Sequence, residues 1–97
     1  MAELLNGPGG VESEELNATV MDWPPGHVTT EHVNAERDVL LVVLRGSAVV
    51  HVDDAAFARA AGEALVIEKG ARRWLASGAE GVRVLTAHRR RPGLMPG

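Results

Sequence analysis

Short apolar or alternating segments, each closed by turn residues, constrain the fold of this chain more than any other feature. From Glu15 to Trp23 the side chains alternate with a period of two, which is typical of a strand. Pro24-Pro25-Gly26 ends this strand, since neither proline can donate a backbone hydrogen bond. The apolar run Val39–Leu44 indicates a strand buried on both faces. Turn signals recur about every eight to twelve residues, which favours an all-β sandwich or barrel.

The rest of the chain repeats this pattern and predicts one domain with short flanking segments. Gly46 is expected to end the apolar run, and a loop is expected at Gly78–Gly81. We predict a flexible arm at residues 1–14, a barrel at 15–88 and a basic tail at 89–97. Further strands are predicted at Ser47–Val52, Ala55–Ala61, Ala64–Ile67, Arg72–Ala76 and Val82–His88.

Composition excludes several classes of function. The 97 residues include no cysteine, so no disulfide framework, thiolate zinc site or thiol nucleophile is expected. A formal net charge of −3 gives no general attraction to nucleic acid. No apolar run reaches the length of a membrane span, of about 18 residues or more, and we expect a cytoplasmic protein. The cluster Arg89-Arg90-Arg91 is interpreted as a solvated tail, with a phosphate-binding or partner-binding patch as the alternative.

Two glycine-bounded segments carry a resemblance to a known family. The chain resembles a small single-domain cupin over about residues 16–88, which implies a jelly-roll β-barrel. Gly26, His32, Asn34 and Gly46 follow the spacing of the first cupin motif, and Gly62, Gly70, Arg73 and Ser77 follow that of the second.

The same resemblance implies a degenerate metal site. A metal-bearing cupin is expected to use two histidines and a glutamate from the first motif and one histidine from the second. Here only His32 remains, because Asn34 and Arg73 occupy two of the four positions. The carboxylate position is Val39 on the longer spacing or Asp38 on the shorter one. A guanidinium that stays protonated repels a cation, so we predict no metal at the usual positions.

A displaced metal site is the fallback interpretation. His27, near the expected barrel mouth, could combine with His32 and with His88 on the last strand. Such a site could hold a divalent ion such as iron, manganese, zinc or nickel.

Arg73 is the most informative candidate residue. Arg72 and Arg73 are adjacent in a strand and must point to opposite faces, and the motif's register turns Arg73 inward. A buried arginine needs a compensating anion, which could be Asp38 or a ligand carboxylate or phosphate. In the second case His32 and Asn34 would add hydrogen bonds to the ligand. Alternatively, His32 is a core histidine bonded to Asn34 or to the backbone.

These residues leave several functions open. We favour a module that binds a small polar or anionic organic molecule inside the barrel, at His32, Asn34, Asp38 and Arg73. The first alternative is a metal-dependent oxygenase or isomerase with His32, Asp38 and a further histidine as ligands. The second is a metal-free isomerase or dehydratase, in which His32 is the general acid/base and Arg73 stabilises negative charge.

Surface aromatic residues predict the quaternary structure. Trp23 and Trp74 are assigned to outward faces, as is His51. Large exposed aromatic side chains are typical of covered surfaces, so we predict a homodimer, with packing of the tryptophans against the N-terminal arm as the alternative. A stable dimer with no ligand of its own is a third functional possibility.

Overall fold

The computed structural model describes residues 8–13 and 15–89, whose regular secondary structure consists of strands alone. Within this described part, no helix is long and apolar enough to span a membrane. The seven strands are β1 (Gly9–Glu12), β2 (Leu16–Trp23), β3 (His32–Val33), β4 (Val39–Val52), β5 (Ala55–Ala60), β6 (Ala64–Ile67) and β7 (Arg72–Arg89).

Strands β4 and β7 organise the fold because each contributes to two layers. The hydrogen-bonded order is β1-β2-β7-β4-β5, with β3 added to β7 and β6 added to β4. Residues 40–43 of β4 pair with residues 84–87 of β7, and residues 48–52 pair with residues 73–77. All of these pairs are antiparallel. The sheet therefore bends over on itself into a jelly-roll barrel with two facing layers.

The bend occurs where two glycines meet. The register of β4 against β7 shifts between Val43 and Arg45 and again between Gly46 and Ala48. Gly46 and Gly81 have φ angles of 76° and 81°, in the left-handed region that favours glycine. A Cβ added to Gly46 would overlap the carbonyl oxygen of Gly81, so the two backbones approach too closely for any side chain.

The core lies between the two layers and draws on both halves of β4. Alternate residues of each half turn inward, as the two-residue period of a strand requires. One apolar cluster results, formed by Val39, Leu41, Val43, Ala48, Val50, Ile67, Leu75, Val82 and Val84. Because the same cluster contains residues from before and after the bend, burial of this surface stabilises the closed barrel.

The structure confirms the all-β barrel and changes several details. Gly46 bends β4 instead of ending it, and the predicted loop Gly78–Gly81 is part of the continuous β7. Two strands were not predicted. One is β3, which pairs with β7, and the other is β1, which lies in the predicted arm and pairs with β2. Residues 1–7 and 14 of that arm and residues 90–97 of the basic tail lie outside the described residues, as does most of the arginine cluster.

Candidate functional site

A cavity of about 290 Å³ lies between the two layers of the barrel. Its walls are mainly apolar, and its polar groups come from the loop before β3, from β3 itself and from β7. The apolar wall residues are Met21, Trp23, Leu41, Leu75 and Val84, and the polar ones include Thr30, His32, Arg73 and Thr86.

Arg73 is the one charged residue of this cavity that lacks a partner among the described residues. It pairs across the sheet with Val52 and with His32, on the inner face of its layer. Its Nη1 atom is buried and has no hydrogen-bond partner in the described part of the chain. Burial lowers the pKa of the Arg73 guanidinium, as expected where a charge loses water without gaining a counter-charge. Among the described wall residues there is no carboxylate.

Hydrogen bonds hold the segment before β3 against β7, and they position Thr30 and His32. The backbone N–H of Thr29 donates to the carbonyl of Leu75 at 2.9 Å, and the N–H of Leu75 donates to the Thr29 hydroxyl at 3.0 Å. The buried hydroxyl of Ser77 donates to the carbonyl of Pro24 and accepts the N–H of His27 at 2.8 Å. The Pro-Pro-Gly corner and the following segment are thus held against the strand that carries Arg73.

His32 lies at the cavity, next to Arg73, and its contact with a ligand stays a prediction. The two are directly opposite in the antiparallel pair of β3 and β7, so their side chains share one face. His32 is nevertheless exposed, which disagrees with its interpretation as a core histidine.

Asn34 and Asp38 stabilise loops instead of lining the cavity. The Oδ1 atom of Asn34 accepts the N–H groups of Glu36 at 3.1 Å and Arg37 at 3.3 Å. The Oδ1 atom of Asp38 accepts the N–H of Lys69 at 2.9 Å. Asp38 is therefore not the internal partner of Arg73, and Asn34 adds no hydrogen bond at the cavity. Asn34 bonds to backbone within its own turn, as short polar side chains readily do. Asp38 instead bonds to a backbone N–H that lies 31 residues further along the chain.

The residues present do not fit a metal ion. His27 stacks on Trp23, with ring centroids 6.2 Å apart, while the Nδ1 of His88 lies 2.9 Å from the carbonyl oxygen of Arg89. In the described ranges no three histidine or acidic side chains group closely enough to hold an ion, so His27, His32 and His88 do not form the fallback site. Beside His32, the usual ligand position carries the cationic Arg73.

The two tryptophans occupy different environments. Trp23 faces inward, packs against the core cluster and lines the cavity, which corrects its assignment to the outer face. The assignment failed because β2 buries apolar residues on both faces, Val20 being 1% exposed on the other one. Trp74 stacks on the cross-strand neighbour His51, with ring centroids 3.6 Å apart, on the face opposite Leu75. The homodimer stays a prediction, now without Trp23 as its basis.

Two larger surface depressions each contain a guanidinium that the protein itself pairs. A cleft of about 440 Å³ beside Gly46 includes the ion pair of Asp22 and Arg83. In a groove of about 600 Å³ between β5 and β6, the guanidinium of Arg59 donates to the backbone carbonyls of Ala58 and Ala64. The cavity between the layers differs from both because its guanidinium has a buried nitrogen, Arg73 Nη1, without a partner among the described residues.

Sequence reasoning missed most of the cavity wall. Met21, Thr30, Leu41, Val84 and Thr86 were not singled out as site residues, although all line the cavity. Alternation along the last strand, with Val84 and Thr86 on one face, was the available signal. This alternation predicts which side chains face inward, but it does not predict that a cavity lies there.

Comparison with solved structures identifies the fold. KdgF from Halomonas sp. matches with a TM-score of 0.77 and 19% identity, covering 88% of this chain and 78% of that one. The protein TT1209 from Thermus thermophilus matches with a TM-score of 0.76 and 23% identity, covering 90% of this chain and 87% of that one. The cupin domain of Schizosaccharomyces pombe Cnp3 gives a TM-score of 0.78 and 18% identity, covering 87% of this chain and 60% of that one.

These similarities show that the chain has the cupin fold, which confirms the resemblance read from the glycine-bounded motifs. At such identities the likeness concerns the fold alone. The sequence matches no family model, and no curated protein matches it.

Proposed function

We propose that this protein is a binding module that holds a small organic anion inside the barrel, with Arg73 as its main contact. The observation that carries the proposal is the buried, unpartnered Nη1 of Arg73 in the cavity wall. A guanidinium presents parallel N–H donors that match a carboxylate or phosphate in two hydrogen bonds. His32, on the same face, adds a hydrogen bond near the cavity opening.

Electrostatics supports an anion as the ligand. The desolvation that lowers the pKa of Arg73 is unfavourable in the ligand-free protein, because no described carboxylate of the wall offsets it. A bound anion supplies that counter-charge next to a guanidinium that is already half-buried. Binding energy therefore comes from relieving an existing electrostatic cost as well as from new contacts.

A thermal-shift screen of small carboxylates and phosphates tests the proposal, with Arg73→Ala as the variant. A ligand at ten times its dissociation constant stabilises the folded state by about 1.4 kcal/mol, which raises the Tm of a domain of this size by about 6–11 °C. We expect this rise in the parent protein and its loss in Arg73→Ala.

Arg72→Ala is the matched control. Arg72 is the adjacent residue of β7 on the opposite face, where it lies 3.8 Å from Asp53 and 4.0 Å from Asp54. Its replacement should leave the anion response intact. Stabilisation that survives Arg73→Ala, or the failure of every anion to stabilise the parent protein, would contradict the proposal.

Metal analysis addresses the rival metalloenzyme. Protein purified without chelators is expected to contain iron, manganese, zinc and nickel only well below one ion per chain. Near-stoichiometric amounts of any of these ions would contradict the binding module, because such a site would require histidines to regroup around Arg73.

A further inference from the structure

The charge of the cavity wall limits the charge of the ligand. Arg73 is a permanent cation, and among the described wall residues it has neither a lysine nor a second arginine beside it. A monoanion matches this single charge. A phosphate monoester carries about −1.5 to −2 charges at pH 7, and a dicarboxylate carries two, so either would leave charge uncompensated beside the half-buried Arg73.

Arg73 is the one permanently charged hydrogen-bond donor of the described wall. The other donors are neutral groups, such as the hydroxyls of Thr30 and Thr86 and the indole N–H of Trp23. A carboxylate has two oxygens, which the guanidinium fork can satisfy by itself. A phosphate has a third charged oxygen, which only neutral donors would remain to contact. The single charged fork therefore favours a carboxylate.

The remaining wall is apolar and sets the nature and size of the ligand body. Met21, Trp23, Leu41, Leu75 and Val84 surround the space beyond Arg73. A volume of about 290 Å³ lies at the lower end of the range for small-molecule pockets, which is about 300–1,000 Å³. It thus suits a body of a single ring or a short aliphatic chain, whose burial removes apolar surface from water.

We infer that the ligand class is a monocarboxylate with a compact apolar body, aromatic or aliphatic, bound with its carboxylate on Arg73 and its body against Trp23 and Leu41. This inference rests on the proposed function and narrows it. The inference requires a single negative charge at one end of the ligand and a compact apolar body at the other, and the two requirements can be tested separately.

Isothermal titration of the whole protein with five probes tests both requirements. Benzoate is the expected ligand, benzamide removes its charge, acetate removes its body, and phthalate and phenyl phosphate change the charged group. We expect benzoate to bind at least about tenfold more tightly than benzamide, phthalate and phenyl phosphate, since these lack the charge match. Benzoate should also bind at least about tenfold more tightly than acetate, which buries far less apolar surface.

The outcomes separate this inference from the proposed function. Equal or tighter binding of phenyl phosphate or phthalate, abolished by Arg73→Ala, overturns the monocarboxylate and leaves the anion site standing. Equal binding of acetate and benzoate overturns the apolar body. Binding of benzoate that persists in Arg73→Ala, or no binding of any probe, overturns the inference and the proposed function together. Arg72→Ala should bind every probe as the parent protein does.

Discussion

Two arginines of the same strand differ in what supplies their counter-charge. On the outer face of β7, Arg83 binds Asp22 through Nε and Nη2, at 2.6 Å and 2.8 Å from the two carboxylate oxygens. The hydrogen bond to Asp22 raises the pKa of Arg83, whereas burial lowers the pKa of Arg73 on the inner face. The fold completes one guanidinium and leaves the other unpaired beside a cavity.

The difference between the two arginines follows from their positions in the barrel. Arg73 lies on the inner face of one half of β7 and Arg83 on the outer face of the other half, with the bend at Gly46 and Gly81 between them. The cross-strand Asp22 pairs with the outer arginine. No carboxylate among the described wall residues does the same for Arg73, which is why we propose that a ligand does so.

The largest expected effect on stability comes from a substitution at the bend of Gly46 and Gly81, which lies between the inner Arg73 and the outer Arg83. Gly46→Ala places a Cβ against the carbonyl of Gly81 in a left-handed backbone, so we expect a loss of about 3 kcal/mol or more in the free energy of unfolding. Denaturant unfolding measures it. Gly62→Ala is the control, because it shares a positive φ but its new Cβ meets nothing within 4 Å. The control should lose only about 1–2 kcal/mol of the free energy of unfolding. Equal losses in the two variants would show that the close approach of Gly46 to Gly81 does not cause the destabilisation.

The second prediction is a substitution that stabilises the protein. Arg73→Met replaces an unpartnered buried guanidinium with a flexible apolar side chain, so the ligand-free variant should gain about 1–3 kcal/mol in the free energy of unfolding. Arg72→Met, on the solvated face, should change it by no more than about 0.5 kcal/mol. Destabilisation by Arg73→Met would mean that the native protein already satisfies this guanidinium, and the comparison with Arg83 would fail.

The sequence anticipated the framework of the fold and only part of the site. Gly26 and Gly70, two glycines of the motifs, have positive φ angles at turns. Alternation predicted that Arg72 and Arg73 face opposite ways, and the register of the motif correctly predicted that Arg73 is the inward one. The misassignments of Asn34 and Asp38 have different causes. Asn34 bonds to backbone in its own turn, a competing role that short polar side chains often take, whereas the partner of Asp38 depends on how two distant loops meet.

The smallest expected effect is the contribution of the ion pair between Asp22 and Arg83 to the Tm, and its loss at acidic pH. The hydrogen bond from Arg83 lowers the pKa of Asp22 in the folded protein relative to about 3.9 in the unfolded chain. A carboxyl with a depressed folded pKa stabilises the fold above its unfolded pKa, and this contribution is lost as pH falls through the folded value. Asp22→Asn should therefore lower the Tm at pH 7, with a difference that shrinks below about pH 4. High salt should reduce the difference as well.

Thermal melts of the parent protein and Asp22→Asn across this pH range provide the measurement, with Asp54→Asn as the control. The carboxylate of Asp54 is exposed and lies 4.0 Å from Arg72, so its substitution should change the Tm little at any pH. A Tm difference for Asp22→Asn that does not change with pH would show that the aspartate acts through something other than its charge.

A crystal structure of the protein soaked with 4-bromobenzoate tests the central claim most directly, because the anomalous signal of bromine locates the ligand without ambiguity. The account predicts the carboxylate within about 2.7–3.2 Å of an Arg73 nitrogen, with the bromine between the layers near Trp23. Bromine found only outside the barrel, or an Arg73 side chain turned to solvent with the ligand held by other groups, would contradict it.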